Sequence, residues 1–180
     1  MSTAQSPTGA PVNTGLKERL APLLAGELLA WRGLPSAHTA DFDALFGNPY
    51  AHGEQALGAW PAIRCAYRDA HGRGLVLWSR QDRAVMVEAE TLPPYALVAQ
   101  LPQPDRILPH EILVPGHYAH EYLYCATGLV LTVAEPLREG QAHIARCRGI
   151  APLTSPGDFG SAWYLAFEDR TSWTMPEAAP

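Results

Sequence analysis

The feature that most constrains the fold of this chain is an order of short segments that occurs twice. Leu45-Phe46-Gly47-Asn48-Pro49 precedes an apolar run that ends near Tyr67, and Gly74-Leu75-Val76-Leu77-Trp78 and Ala84-Val85-Met86-Val87-Glu88 follow it. Further along, Gln100-Leu101-Pro102-Gln103-Pro104 precedes a run containing Tyr124, and Gly128-Leu129-Val130-Leu131-Thr132 and His143-Ile144-Ala145-Arg146 follow that. Runs of this length, rich in β-branched and aromatic residues and bounded by turn formers, read as β-strands. His71-Gly72-Arg73-Gly74 supplies one turn and Gln81-Asp82-Arg83 the next, so Ile63–Asp69, Leu75–Ser79 and Ala84–Glu90 form an antiparallel meander. The second set places strands at Tyr118–Cys125, Leu129–Val133 and His143–Ile150. Self-similarity at a fixed period marks a repeated unit. The expected repeats are residues 39–92 and 93–153.

Before the strands the period is helical. Leu16, Leu20, Leu23, Leu24, Leu28 and Trp31 recur at spacings of three and four, one face of a helix. Thr14 is a plausible N-cap, Pro22 a start or kink, and Gly33 with Pro35 an end. Thr39 then caps a short helix reaching Phe46, with Gly47 as its stop. Tyr95–Leu101 after Pro93-Pro94 reads as one or two helical turns, and Pro102 to Pro115 as a long loop. A last strand-like run is Ala162–Glu168. The domain is expected to span residues 16–173, between a polar, Pro-rich leader (1–15) and a tail (174–180).

Composition excludes several functions. Charged residues make up 17% of the chain, against a usual share of about 25%. Lys17 is the only lysine, and 13 basic residues face 18 acidic ones. Phosphate contacts need a basic face, so nucleic acid is not an expected partner. No apolar run reaches the ~18–20 residues of a membrane-spanning helix, so a membrane is not one either. The leader lacks a basic n-region and an apolar h-region, so it does not read as a secretory signal. Cys65, Cys125 and Cys147 are odd in number and far apart, which favours reduced thiols and a cytoplasmic location. Arginine in place of lysine, with abundant Ala, Gly and Pro, points to GC-rich coding and a bacterial source.

A short helix, a Leu-x-x-x-Pro step and three strands with Tyr…Gly-Leu-x-Leu at the hairpin resembles a known pattern. It is similar to the repeat of small outer-membrane assembly lipoproteins and of β-lactamase inhibitor proteins built from two such repeats. The resemblance covers roughly residues 39–150. It rests on Leu45 and Pro49, on Tyr67, Gly74, Leu75 and Leu77, and on the second-copy Leu101, Pro104, Tyr124, Gly128, Leu129 and Leu131. The lipidated cysteine of the first family and the disulfide-suited cysteine pairs of the second are missing here. The resemblance implies a curved sheet that binds another protein, and neither family's particular partner.

The segment richest in chemistry runs from His110 to Tyr124. His117 or His120, with Glu111 or Glu121, has the composition of an acid–base pair. On a strand, however, His117, Ala119 and Glu121 face one way and Tyr118, His120, Tyr122 and Tyr124 the other. The second set is an aromatic column, suited either to recognition or to a core under the N-terminal helix. Arg146 and Arg148 alternate on a strand, and Glu88 and Glu90 hold similar positions in the first copy. They form either a polar binding face for a small acidic ligand or a solvated face with cross-strand pairs. The cysteines lie in strands, where buried, inert thiols are usual. Gly72-Arg73-Gly74 has no Walker lysine and no following helix, and Gly160-Ser161 lacks a nucleophile-elbow context. Trp163 and Phe167 would share a face, and Trp173 sits in the polar tail.

These readings converge on an α+β fold, with N-terminal helices on an antiparallel sheet of about six to seven strands. The expected function is a non-catalytic binding protein of immunity, inhibitor or accessory type. Its binding residues would be Tyr118, His120, Tyr122, Tyr124, Arg146 and Arg148. The expected partner is another protein or a small molecule, and neither a cofactor nor a metal is expected. The alternatives are a small curved-sheet enzyme using the histidines and glutamates above, and a subunit of a homo-oligomer.

Overall fold

A computed structural model describes residues 14–57, 60–110 and 117–154. Helix α1 spans Thr14–Ala25 and α2 spans Thr39–Phe46. Short 3-10 segments lie at Leu28–Ala30 and Tyr95–Gln100. The strands are β1 (Ala51–Leu57), β2 (Trp60–Arg68), β3 (Gly74–Arg80), β4 (Arg83–Ala89), β5 (Arg106–His110), β6 (His117–Tyr124), β7 (Leu129–Pro136) and β8 (His143–Gly149). The architecture is α+β, with the helices beside an antiparallel sheet.

The first helix ends at Ala25, earlier than the apolar spacing out to Trp31 implies. Gly26 adopts φ +72°. The Glu27 N–H donates to the Pro22 carbonyl at 2.8 Å and the Gly26 N–H to Leu23 at 3.2 Å, which is the Schellman way of closing a helix. The chain then re-enters as the 3-10 turn, so Leu28 and Trp31 stay buried although they are not part of α1. For α2 the N-cap is His38, not Thr39. The Asp41 carboxylate accepts the His38 N–H at 2.7 Å, and Gly47 stops the helix at φ +78°.

The eight strands of the described residues form one sheet in the order β1-β2-β3-β4-β8-β7-β6-β5. Two four-stranded meanders therefore meet at β4 and β8, where Val87, Glu88 and Ala89 oppose Gly149, Arg148 and Cys147. The sequence reading placed one strand too few in each meander, missing β1 and β5. Both are edge strands. β1 reads Ala-His-Gly-Glu-Gln-Ala-Leu, with little β-branched content, because only one of its long sides is paired. β5 carries Pro109, a residue tolerated at an edge and seldom in a central strand. Part of the expected Pro-rich loop is therefore strand. The β3–β4 connection is a two-residue turn with Gln81 at φ 49° and Asp82 at φ 60°, the left-handed pair of a type I′ hairpin.

The apolar runs of β3 and β7 are continuous because both sheet faces are buried there. On the first face, Leu16, Leu20, Leu23, Leu28, Trp31 and Phe42 from the helical layer pack with Tyr67, Leu75, Leu77, Val87, Leu131 and Cys147. The second face has its own cluster, including Leu57, Ala66, Val76, Trp78, Met86, Leu123 and Val130. Residues of β1, β4 and β8 jointly line one recess on this face. On a flat sheet, β1 and β8 would stand four strand spacings apart, roughly 19 Å. The sheet therefore curls toward its second face. None of the described helices is long and apolar enough to cross a membrane.

Candidate functional site

The second face holds a buried charge cluster. Glu121 on β6, Thr132 on β7 and Arg148 on β8 are all inaccessible to solvent. Thr132 opposes Glu121 in the β6–β7 ladder, and Val130 opposes Arg148 in the β7–β8 ladder. The Arg148 guanidinium reaches across β7, donates to the Thr132 hydroxyl at 2.8 Å and contacts the Glu121 carboxylate directly. The Thr132 hydroxyl also lies 3.4 Å from Glu121 Oε1. Desolvating two charges costs several kcal/mol each, so the pair persists only because its geometry compensates.

Beside this cluster lies a recess of about 220 Å³. Its wall includes Gln55 and Leu57 of β1, Trp78 of β3, Glu88 of β4 and Arg146 with Arg148 of β8. Glu88 stands directly opposite Arg148 in the ladder. Arg148 is committed to Glu121 and Thr132, whereas Arg146 is solvent-exposed and makes no ion pair with another described residue. Arg146 and Arg148 alternate along β8 as expected, and the β4–β8 pairing brings Glu88 opposite Arg148. Glu90 goes elsewhere: its carboxylate accepts from the Tyr50 hydroxyl at 2.5 Å and lies 3.8 Å from Arg68.

The aromatic column divides along its length. Tyr124 is buried and Tyr122 half-buried in the first-face cluster, while Tyr118 is 54% exposed. Burial, then the neighbouring Tyr122 and Tyr95, push the Tyr124 phenol up to about 12. Two of the four positions are therefore core or near-core, and the column is not one open surface.

Among the described residues, His117, His120 and Glu121 do not assemble. His117 packs edge-on to His143, ring centroids 5.0 Å apart. His120 points to the other face, its Nε2 3.8 Å from the Glu135 carboxylate. Glu121 is held by Arg148. Glu111 lies outside the described residues, as do the strand expected at 162–168, Trp163, Phe167 and Trp173. Among the described residues no three His, Cys, Asp or Glu side chains are grouped to hold a metal ion. Cys65, Cys125 and Cys147 are buried thiols. Burial, with a smaller push from Glu88, raises the Cys147 thiol to about 12, the opposite of what a nucleophile requires.

Sequence reasoning missed Thr132 and Trp78 as parts of this site. Both sit in apolar runs that read as core, and no local signal marks them. Glu121 was singled out for acid–base work and serves instead as the counter-ion of Arg148. Comparison with known proteins found no matching family model, no matching curated protein and no matching solved structure.

Proposed function

We propose that this chain is a non-catalytic binding protein of immunity, inhibitor or accessory type, acting in a bacterial cytoplasm. Its ligand-contacting surface is the curled second face of the sheet, centred on the recess beside Glu88, Arg146 and Arg148. One observation carries the reading: a buried, internally neutralised Arg148–Glu121 pair forms the support of a recess whose exposed cation, Arg146, has no described ion-pair partner. Such an arrangement presents an exposed positive charge next to apolar Leu57, Met86 and Trp78. It suits an acidic side chain on a partner protein, inserted with its apolar neighbours.

The symmetric strand order supports a tandem unit of helix and meander, as does the matched placement of Tyr67 with Tyr124 and of Leu75 with Leu129, each at the start or end of equivalent strands.

A titration of short acidic peptides at low salt, followed by calorimetry, tests the reading. Wild type should bind, and Arg146→Ala should weaken binding about tenfold while leaving thermal stability within about 0.5 kcal/mol, as for other surface changes. Equal affinity of the two proteins for every acidic peptide would overturn it.

A further inference from the structure

A second recess, of about 390 Å³, lies on the other side of the molecule, between the Leu28–Ala30 turn, the segment before β5 and the β6–β7 turn. Its apolar lining comes from Leu28, Leu101, Leu129 and Tyr124. Two opposite charges, Arg32 and Asp105, also line it. Each is anchored to the backbone. Arg32 Nη1 donates to the carbonyls of Leu29 and Trp31, at 2.6 and 2.9 Å. Asp105 Oδ2 accepts the Cys125 N–H at 2.7 Å. No ion pair joins Arg32 to Asp105, although they border the same space. The remaining guanidinium nitrogens of Arg32 and the second carboxylate oxygen of Asp105 make no hydrogen bond within the described residues.

A fixed cation and a fixed anion, held apart over an apolar lining, match a small molecule with the same three features. A simple fatty acid would meet Asp105 unfavourably, and an amine would meet Arg32 unfavourably. A zwitterion satisfies both. We infer that this recess binds a free α-amino acid with a large apolar side chain. The carboxylate pairs with Arg32, the ammonium group pairs with Asp105, and the side chain lies against Leu28, Leu101, Leu129 and Tyr124. Pockets of this size, mostly apolar with a few oriented polar groups, are the usual form of small-molecule sites. The inference is independent of the second-face reading, because the two sites share no lining residue.

Calorimetric titration of the full chain with leucine, phenylalanine and glycine tests it. Leucine and phenylalanine should bind and raise the thermal midpoint, and glycine should bind at least tenfold more weakly, as burial of several methylenes requires. Removing the ammonium group, as in 4-methylpentanoate, should cost about tenfold, the scale of one charge-assisted hydrogen bond. Arg32→Gln and Asp105→Asn should each lower leucine affinity by a similar factor. Asn at 105 still accepts the Cys125 N–H, so the fold is retained. Ala126, exposed in the β6–β7 turn, borders the recess, and Ala126→Trp should block it without touching the core. Absence of binding to wild type at millimolar ligand would overturn the inference. So would equal affinity for glycine and leucine, or an unblocked Ala126→Trp variant. Tighter binding of Leu-Gly than of leucine would overturn it in favour of a peptide terminus.

Discussion

Arg148 and Glu121 pair across an intervening strand. Arg148 is on β8 and Glu121 on β6, and the guanidinium passes over β7 to reach the carboxylate, with the Thr132 hydroxyl between them. The contact ties three strands of the second meander together at side-chain level, in addition to the ladder hydrogen bonds.

Removing one partner should therefore cost far more than removing both. Arg148→Ala or Glu121→Gln should destabilise the protein by about 3–5 kcal/mol, because the remaining buried group loses this direct charge contact. The double variant Arg148→Met with Glu121→Leu should recover most of that loss. Urea unfolding of the single and double variants measures both, and a double variant no better than the singles would contradict the assignment.

Gly149 is predicted to be intolerant of any side chain. A Cβ there would run into the six-membered ring of Trp31, which is fully buried against the β4–β8 seam. Gly149→Ala should cost about 1–3 kcal/mol through overpacking. Pairing it with Trp31→Leu should relieve part of that cost, which thermal unfolding of the three variants would show.

Tyr67 links the helical layer to β2. Its hydroxyl donates to the Asp43 carboxylate at 2.8 Å, and its ring packs against Phe42 and Phe46, with centroids 6.3 and 5.8 Å away. Burial comes first and the bond to Asp43 second in raising the phenol well above its ordinary range. Tyr67→Phe keeps the packing and loses the charge-assisted bond. A loss of about 1.5–3 kcal/mol is expected in denaturant unfolding.

Alkaline pH should unfold the chain through its buried acids. The Cys147 thiol is raised from an ordinary value near 9 to about 12, and Tyr124 from 10 to about 12. A group with a raised folded value keeps its full contribution below its unfolded pKa. That contribution falls as pH rises through the window between the two values. Stability should be flat to about pH 9 and then decline as pH rises toward 12, with Cys147 contributing to the slope. Cys147→Ala, referenced to its own stability at neutral pH, should show a shallower decline between pH 9 and 12.

The β3–β4 turn offers a stabilising change. Gln81 and Asp82 both adopt left-handed backbone, which costs non-glycine residues about 1–2 kcal/mol each. Gln81→Asn with Asp82→Gly supplies the preferred type I′ pair and should stabilise the protein by about 1 kcal/mol. The Asp82 carbonyl that accepts the Thr39 N–H at 2.9 Å belongs to the backbone and is retained. A thermal midpoint unchanged or lowered would count against this reading of the turn.

Local patterning was sufficient for much of this architecture. The alternation of six strands, the leucine face before them and the hairpin at Gln81-Asp82 follow from side-chain period and turn chemistry, which act over a few residues. The buried set Leu16, Leu20, Leu23, Leu28 and Trp31 was legible for the same reason, although Gly26 breaks the helix that carries it. The facing rule for His117 to Tyr124 also followed from strand period alone. The edge strands β1 and β5 were not legible, because an edge is defined by its neighbour and imposes little on its own composition. Nor were the partners of Glu121, Arg148, Arg32 and Asp105. Those depend on which strands lie side by side and on how the sheet curls, and a charge carries no mark of whether its counter-ion will be four residues away, as for Arg73 and Asp69, twenty-seven, as for Arg148 and Glu121, or a solvent molecule. Only the tertiary structure decides that, because the desolvation that makes such a pairing matter arises when distant segments close over it.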